Sequence, residues 1–193
     1  MQTPRGYRKR VRHYDLPGDC RELTFSCYHQ MPLLDDQLRC VMLARSIDRS
    51  LERHAFRLAA FVFMPEHVHL LIWPASDRVD VSAVLKAIKQ PFSNRVRRLL
   101  EDDNQMLLRR LTVRERPGKL AFRFWQEGGG YDRNLTEPAA ICAAIEYIHL
   151  NPVRRGLAMD ALSWRWSSCH HYHGSTADRE LPRIHGLPWQ YLA

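Results

Sequence analysis

The sequence has few features of membrane, secreted or nucleotide-hydrolysing proteins. Its longest apolar runs are far shorter than the roughly 20 residues that cross a bilayer, and the basic segment MQTPRGYRKRVRH lacks the apolar core of a signal peptide. The five cysteines form no C-x-x-C pair, which argues against a disulfide framework and against a cysteine-rich zinc site. No P-loop is present. These absences favour an intracellular protein of a reducing cytosol that has no contact with a membrane.

The composition is that of a folded, basic protein. The chain has 193 residues, 45% of them hydrophobic, and a net charge of +8 with a pI of about 9.6. Only four of its 29 basic residues are lysine, so arginine dominates. Arginine binds phosphate oxygens with two parallel N–H groups, which favours a polyanionic partner, although codon bias produces the same arginine excess. We predict one domain, with a basic arm over 1–19, a core over 20–157 and a tail over 158–193.

The order of apolar patterns predicts an α+β fold. Alternating or continuously apolar segments indicate strands over 22–30, 56–65, 66–74 and 120–126. Helical spacing predicts helices over 35–56 with Asp35 as N-cap, over 79–102 with a kink at Pro91, and over 136–151 between Thr136 and Pro152. Residues 103–120 read as a loop or flap. The resulting β-α-β-β-α-β order predicts a ferredoxin-like (RRM-like) sandwich with an antiparallel sheet, an extra C-terminal helix and a tail.

Two histidines interrupt the third predicted strand, in FMPEHVHLLIWP. Side chains alternate along a strand, so His67 and His69 point to the same side of the sheet. Imidazoles at this spacing can bind one divalent metal ion. Histidines in a strand are more often hydrogen-bonded structural residues, so the pair needs a further ligand before it indicates a metal site.

The last predicted helix supplies a candidate nucleophile and a candidate third ligand. Tyr147 and Asn151 are four residues apart in EYIHLNPVRRGL and therefore share one helical face. The amide oxygen of Asn151 suits Mg²⁺ or Mn²⁺, and the phenol of Tyr147 can form a covalent intermediate. Arg154 and Arg155 follow the helix, where they can bind phosphate. Taken alone, Tyr147 as a packed ring and Asn151 as a helix cap explain the same residues.

Together, MPEHVHLLIWP, FWQEGGGYDRNL and YIHLNPVRRGL resemble, in that order and spacing, the single-tyrosine HUH transposases. Within that group the chain is most similar to the REP-associated tyrosine transposases, over about residues 20–170. The resemblance implies a catalytic core that cuts and rejoins single-stranded DNA beside hairpins with Mg²⁺ or Mn²⁺. It implies that His67, His69 and Asn151 bind the metal ion and that Tyr147 is the nucleophile. The chemistry implied is a 5′-phosphotyrosine intermediate with a free 3′-hydroxyl. A monomer is expected, with a dimer left open, in the cytoplasm at the nucleoid.

Three assignments near the motifs stay open. Tyr131 follows three glycines and is the alternative nucleophile, but its i+4 neighbour is Leu135, which cannot bind a metal ion. The GGGYDRN segment is expected to form a strand-to-helix turn or a DNA-contacting loop. Glu66 either fixes the tautomer of a histidine or faces solvent, and we expect solvent.

The expected nucleic-acid contacts are basic residues of the arm, the second predicted helix and the end of the last helix. They are Arg8, Lys9, Arg10, Arg12, Lys86, Lys89, Arg154 and Arg155. Tyr7 and Tyr131 can stack on unpaired bases, whereas Trp125 is expected in the core and the tail histidines His170, His171 and His173 on the surface. Two other functions fit the same pattern: a domesticated protein that binds hairpins without cutting, and an RNA-binding protein. The strands lack the aromatic RNP pattern that the RNA-binding alternative requires.

Overall fold

The computed structural model describes residues 19–174 and 178–187. Its strands are Cys20–Ser26 (β1), Phe56–Phe63 (β2), His67–Pro74 (β3), Thr112–Arg116 (β4), Lys119–Phe122 (β5) and Tyr131–Leu135 (β6). Its α-helices are Gln37–Arg53 (α1), Val81–Asp103 (α2), Gln105–Leu111 (α3), Pro138–Arg154 (α4) and Cys169–Tyr172 (α5). In the part of the chain that the structure describes, no helix combines the length and the apolar character that a membrane span requires.

The main sheet confirms the predicted ferredoxin-like fold. It has four antiparallel strands in the order β2-β3-β1-β6, so β3 and β1 are central. The predicted first three strands exist, although β1 ends at Ser26 rather than at residue 30 and β3 begins at His67, one residue after its predicted start.

The sheet is covered on both faces. On one face α1 and α2 pack against Leu23, Phe25 and Leu70, in the larger of two apolar clusters. On the other face α4 packs through Ile141 and Ile148 onto apolar residues of β2 and β3. His67 and His69 alternate along β3 with apolar residues that face α1 and α2, so the histidines point to the opposite face of the sheet. The extra C-terminal helix α4 covers that face.

The predicted fourth strand is wrong. Of the segment 120–126, only residues 120–122 are in a strand, as part of β5, which pairs with β4 in a separate two-stranded ribbon. The fourth strand of the sheet is β6, which pairs with β1 and falls where the sequence suggested a turn or loop. Gly130 explains the position of β6: its φ is +77°, and a Cβ atom there would lie 2.0 Å from the Thr24 carbonyl oxygen. Only glycine allows the chain to approach β1 this closely.

Other boundaries also differ from the predictions. Residues 103–120 are not a loop but form α3 and most of the β4–β5 ribbon. The N-cap of α1 is Asp36, whose carboxylate accepts a hydrogen bond from Arg39 N at 2.8 Å. The N-cap of α4 is Glu137, and α4 continues through Pro152 to Arg154, since a proline in the last turn removes a single helical hydrogen bond.

The described tail lies along the edge strand β2. Phe63 N donates to Trp166 O at 2.8 Å, and Ser168 N donates to Phe61 O at 3.0 Å. Of the tail histidines, His171 and His173 are exposed as expected, whereas the Nε2 atom of His170 is buried without a hydrogen-bond partner. Trp125 is in the core, as predicted.

Candidate functional site

The two histidines of β3 meet at their Nε2 atoms. His67 Nε2 and His69 Nε2 are 2.9 Å apart, and the two rings are close to perpendicular. Each ring is bound on its other side: His67 Nδ1 lies 3.1 Å from Glu66 Oε1, and His69 Nδ1 lies 2.8 Å from Thr24 Oγ1. A carboxylate can only accept at this contact, which holds the proton of His67 on Nδ1. Both Nε2 atoms therefore converge on one point between the sheet and α4.

Burial favours the neutral form of both rings. It lowers the pKa of His69 to about 3, with a further lowering by the neighbouring His67. Burial also lowers the pKa of His67, against the opposing effect of the Glu66 carboxylate. Neutral imidazole is the form that binds metal ions.

Asn151 is the third group at this point. It is 6% exposed, and its Nδ2 atom lies 3.2 Å from His69 Nε2. The nitrogen and oxygen of an amide exchange places by rotation about the last side-chain bond, so the same geometry directs the oxygen toward the histidines. The predicted ligands are thus brought together, from β3 and from the last turn of α4.

The three groups fit a small divalent cation. Two ligand atoms that each lie about 2.1 Å from one ion, at right angles to each other, are about 3.0 Å apart. The distance between the two Nε2 atoms is 2.9 Å, and that from the Asn151 amide to His69 Nε2 is 3.2 Å, both close to this value. Among the described residues no group of three histidine, cysteine, aspartate or glutamate side chains is placed to hold a metal ion. A cation held at this point would need the Asn151 amide as a third protein ligand beside the two histidines. Two imidazoles and an oxygen favour Mn²⁺ over Mg²⁺, which prefers oxygen ligands.

Tyr147 lies against His69. It precedes Asn151 by one turn of α4 and is 40% exposed. Its ring meets the His69 ring edge-on with centroids 5.6 Å apart, and the Arg154 guanidinium lies 5.1 Å from the centroid of the Tyr147 ring. Tyr147 is therefore partly open to solvent and in contact with one of the proposed ligands, His69.

Tyr131, the alternative nucleophile, lies on the sheet and lines the same cleft as Tyr147 and His69. It is 50% exposed and pairs directly with Thr24, which in turn pairs with His69. Tyr131 is therefore two strands from His69, about 10 Å between Cα atoms. A cleft of about 500 Å³ separates the two tyrosines and is also lined by Thr24 and His69.

Glu66 and the arginines after α4 differ in part from their predicted roles. Glu66 does not face solvent: besides His67 it binds Arg155, whose Nη2 lies 2.8 Å from Glu66 Oε1. Arg155 thus fixes the end of α4 to the start of β3, and Arg154 is the arginine beside the phenol.

The other predicted nucleic-acid contacts are dispersed or outside the described residues. Lys86 is exposed on α2. Lys89 is half-buried, 4.8 Å from the Phe25 ring centroid, and burial lowers its pKa to about 8. Arg8, Lys9, Arg10 and Arg12 lie outside the described residues.

Two features of the site were missed from the sequence. Thr24 orients His69, and an ion pair of 2.9 Å joins Glu22 to Arg133 at the far end of the cleft. Both depend on the register of β1 with its neighbours. The only signal in the sequence was the placement of Glu22 and Thr24 at alternate positions of a strand.

Comparisons with known proteins show what the chain is similar to. A curated protein of Haemophilus influenzae, named "Putative REP-associated tyrosine transposase", is 27% identical over 119 residues, which are 62% of this chain and 62% of the relative. A solved structure of a REP-associated tyrosine transposase bound to a REP hairpin has a TM-score of 0.66 and 19% identity, covering 91% of this chain and 92% of that chain. A structure described as a transposase of Deinococcus radiodurans has 22% identity over 77% of this chain and 98% of that chain, with a TM-score of 0.41, too low to establish a shared fold. No family model matches the chain.

The fold and the site define a ferredoxin-like protein whose extra helix brings a tyrosine and an asparagine to a strand histidine pair. The resemblance to the REP-associated tyrosine transposases is confirmed by the sequence match and by the shared fold. The match spans 62% of the curated relative's length, so activity and substrate are taken up as proposals.

Proposed function

We propose that this protein is a metal-dependent strand transferase that cleaves and rejoins single-stranded DNA next to hairpins. One observation supports the proposal above all others. The Nε2 atoms of His67 and His69 and the amide of Asn151 meet at one point, and the ring of Tyr147 packs against the His69 ring.

Each of these residues has a role in transesterification. The oxygen of Tyr147 attacks the scissile phosphorus, a bond forms between that oxygen and phosphorus, and the bond from phosphorus to the 3′-oxygen breaks. The phenol loses its proton, and the leaving 3′-oxygen takes one up. The products are a 5′-phosphotyrosine and a free 3′-hydroxyl. Attack of a 3′-hydroxyl on this linkage reverses the step and rejoins DNA without a nucleotide cofactor.

His67, His69 and Asn151 would hold Mg²⁺ or Mn²⁺, which polarises the scissile phosphate when bound. Glu66 and Thr24 fix the Nδ1 side of each imidazole and keep the Nε2 atoms toward the ion. Arg154, next to the Tyr147 ring, is available to neutralise the phosphate during attack.

The DNA partner is proposed by analogy with the solved transposase bound to a REP hairpin. The net charge of +8 supports a nucleic-acid partner. We assign hairpin binding to the basic arm and to Lys86, and the single strand to the cleft beside α4.

A covalent-adduct assay tests the proposal. The full chain is incubated with Mn²⁺ and a labelled DNA hairpin that carries single-stranded arms, and adducts are separated under denaturing conditions. We expect a labelled protein band that chelation of Mn²⁺ or the Tyr147→Phe substitution abolishes.

Two controls make the result specific. Tyr131→Phe and Tyr172→Phe each remove one other phenol oxygen, and both should still form the adduct. An adduct that survives Tyr147→Phe and disappears in Tyr131→Phe would contradict the assigned nucleophile. Tight hairpin binding with no adduct in either cation would favour a protein that binds without cutting, and tighter binding of the matched RNA hairpin would favour an RNA partner.

A further inference from the structure

The cleft between the two tyrosines is larger than the chemistry at the histidines requires. Its volume of about 500 Å³ falls in the range of about 300–1,000 Å³ typical of small-ligand sites. It extends from His69 across β1 to β6, away from the proposed cation. A bound cation and one phosphate leave most of this space unused.

We propose that the cleft binds one unpaired nucleotide of the DNA next to the scissile phosphate, with its base on Tyr131 and its phosphate at Arg133. This inference rests on the proposed function and adds to it a binding site for a single base.

Tyr131 is built into the wall of the cleft. Its pairing with Thr24 directs its side chain to the face of the sheet that carries His69. The preceding Gly130 lies against the Thr24 carbonyl and fixes the start of β6. Half of the Tyr131 surface remains exposed, so the ring offers an open face at a fixed position. Aromatic rings of this kind stack on unpaired bases of any sequence.

Arg133 lines the cleft two residues further along β6. Glu22 holds its guanidinium through the 2.9 Å ion pair, and the Glu22 side chain is 8% exposed while that of Arg133 is 50% exposed. Glu22 is the one carboxylate among the described residues that line the cleft, and Arg133 neutralises it. A guanidinium oriented by a buried carboxylate keeps further N–H groups for a phosphate.

The opposite wall has small side chains. Ala143 and Ala144 of α4 line the cleft before Tyr147, so the space between sheet and helix is wide enough for a flat ring. A larger side chain at Ala143 should fill it.

The experiment measures the fluorescence of 2-aminopurine, an adenine analogue, placed in turn at each position of the single-stranded arms of a DNA hairpin. The full-length Tyr147→Phe variant is used in Mg²⁺, because it keeps both rings and does not turn over. We expect quenching by stacking at one position within two nucleotides of the bond that the wild-type protein cleaves. Tyr131→Ala should abolish that quenching and weaken binding of the arm about tenfold, whereas Tyr131→Phe should change neither.

Two variants of α4 test whether the base occupies the cleft, without changing β6. Ala143→Leu should abolish the same quenching from the helix side, and Ala139→Leu, an exposed alanine of α4 outside the cleft, should not. Arg133→Gln should weaken arm binding and leave the position of quenching unchanged.

The inference is overturned if no position depends on both Tyr131 and Ala143, or if the dependent position is further than two nucleotides from the cleaved bond. Cleavage without such a position leaves the strand-transfer proposal standing and removes this one. A Tyr131-dependent position in a protein that forms no adduct supports the nucleotide site and contradicts strand transfer.

Discussion

At the scale of single residues, sequence spacing indicated the chemistry and the structure supplied the supporting contacts. The i, i+2 spacing of His67 and His69 and the i, i+4 spacing of Tyr147 and Asn151 are local, so periodicity alone predicts which side chains share a face. Thr24 and Glu66 could not be assigned in this way. The first depends on strand register over 45 residues, and the second on a rotamer fixed by Arg155.

Substitution of Thr24 tests whether its contact with His69 is needed for metal binding. Thr24→Val keeps the shape of the side chain but removes the oxygen that binds His69 Nδ1. We expect Mn²⁺ affinity, measured by calorimetry, to fall about 10-fold or more, as for other residues that orient metal ligands. Thr24→Ser keeps the hydroxyl and should bind Mn²⁺ like the wild type. Equal affinity in all three proteins would exclude an orienting role.

At the scale of elements, long apolar segments were predicted well and polar ones poorly. The strands β2 and β3 are apolar on both faces, a pattern typical of strands in a sheet that is covered on both faces. The edge strand β6 is Tyr-Asp-Arg-Asn-Leu, and its polar side chains pair with residues in or just before β1: Arg21 donates from Nε to Asp132 at 2.9 Å, and Asn134 donates to Asp19 at 2.8 Å. Such a strand lacks the alternating apolar pattern from which strands are predicted. The apolar segment 120–126 before it was predicted as the fourth strand instead.

Gly130 determines whether β6 pairs with β1. A Cβ atom at Gly130 meets the Thr24 carbonyl at 2.0 Å, and the residue has a φ of +77°. We expect Gly130→Ala to destabilise the protein by about 3 kcal/mol or more, from backbone strain and displacement of β6.

Gly129 is the matched control for this substitution. A Cβ atom there has no neighbour within 4 Å, so Gly129→Ala should change the free energy of unfolding by less than about 0.5 kcal/mol. Urea unfolding of the two variants gives the comparison. Equal stabilities would show that the close approach at Gly130 is not required.

At the scale of the whole molecule, the packing of α4 brings the candidate site together. The helix order predicted two helices on one face and an extra helix, but helix order does not specify which face the extra helix covers. Burial resolves it: α1 and α2 fill one face, and α4 closes the other over the histidines. Tyr147 and Asn151 meet the histidine pair because of this packing.

The core also makes stability depend on alkaline pH. Burial raises the pKa of Cys20, Cys27 and Cys40 to about 12 each. Between pH 9 and 12 the folded protein keeps these protons and the unfolded chain loses them, so each thiol lowers stability by about 1.4 kcal/mol per pH unit in that window. Lys89 acts in the opposite direction between pH 8 and 10.5, because burial lowers its pKa to about 8 and the unfolded chain binds the proton more tightly.

The sum of these effects is measurable by urea unfolding under reducing conditions. From pH 9 to 10.5 we expect the free energy of unfolding to fall by about 3 kcal/mol. Lys89→Met removes the opposing contribution and should make the fall steeper. Stability that rises across this range would contradict the burial of the three thiols.

The central claim is that Tyr147 is the residue that becomes covalently linked to DNA. Trypsin separates the two candidate tyrosines, since Tyr131 lies in the peptide FWQEGGGYDR and Tyr147 in NLTEPAAICAAIEYIHLNPVR. Mass spectrometry of the protein after incubation with Mn²⁺ and a hairpin oligonucleotide should show a nucleotide adduct on the Tyr147 peptide alone. An adduct on the Tyr131 peptide, or none on either, would contradict the account.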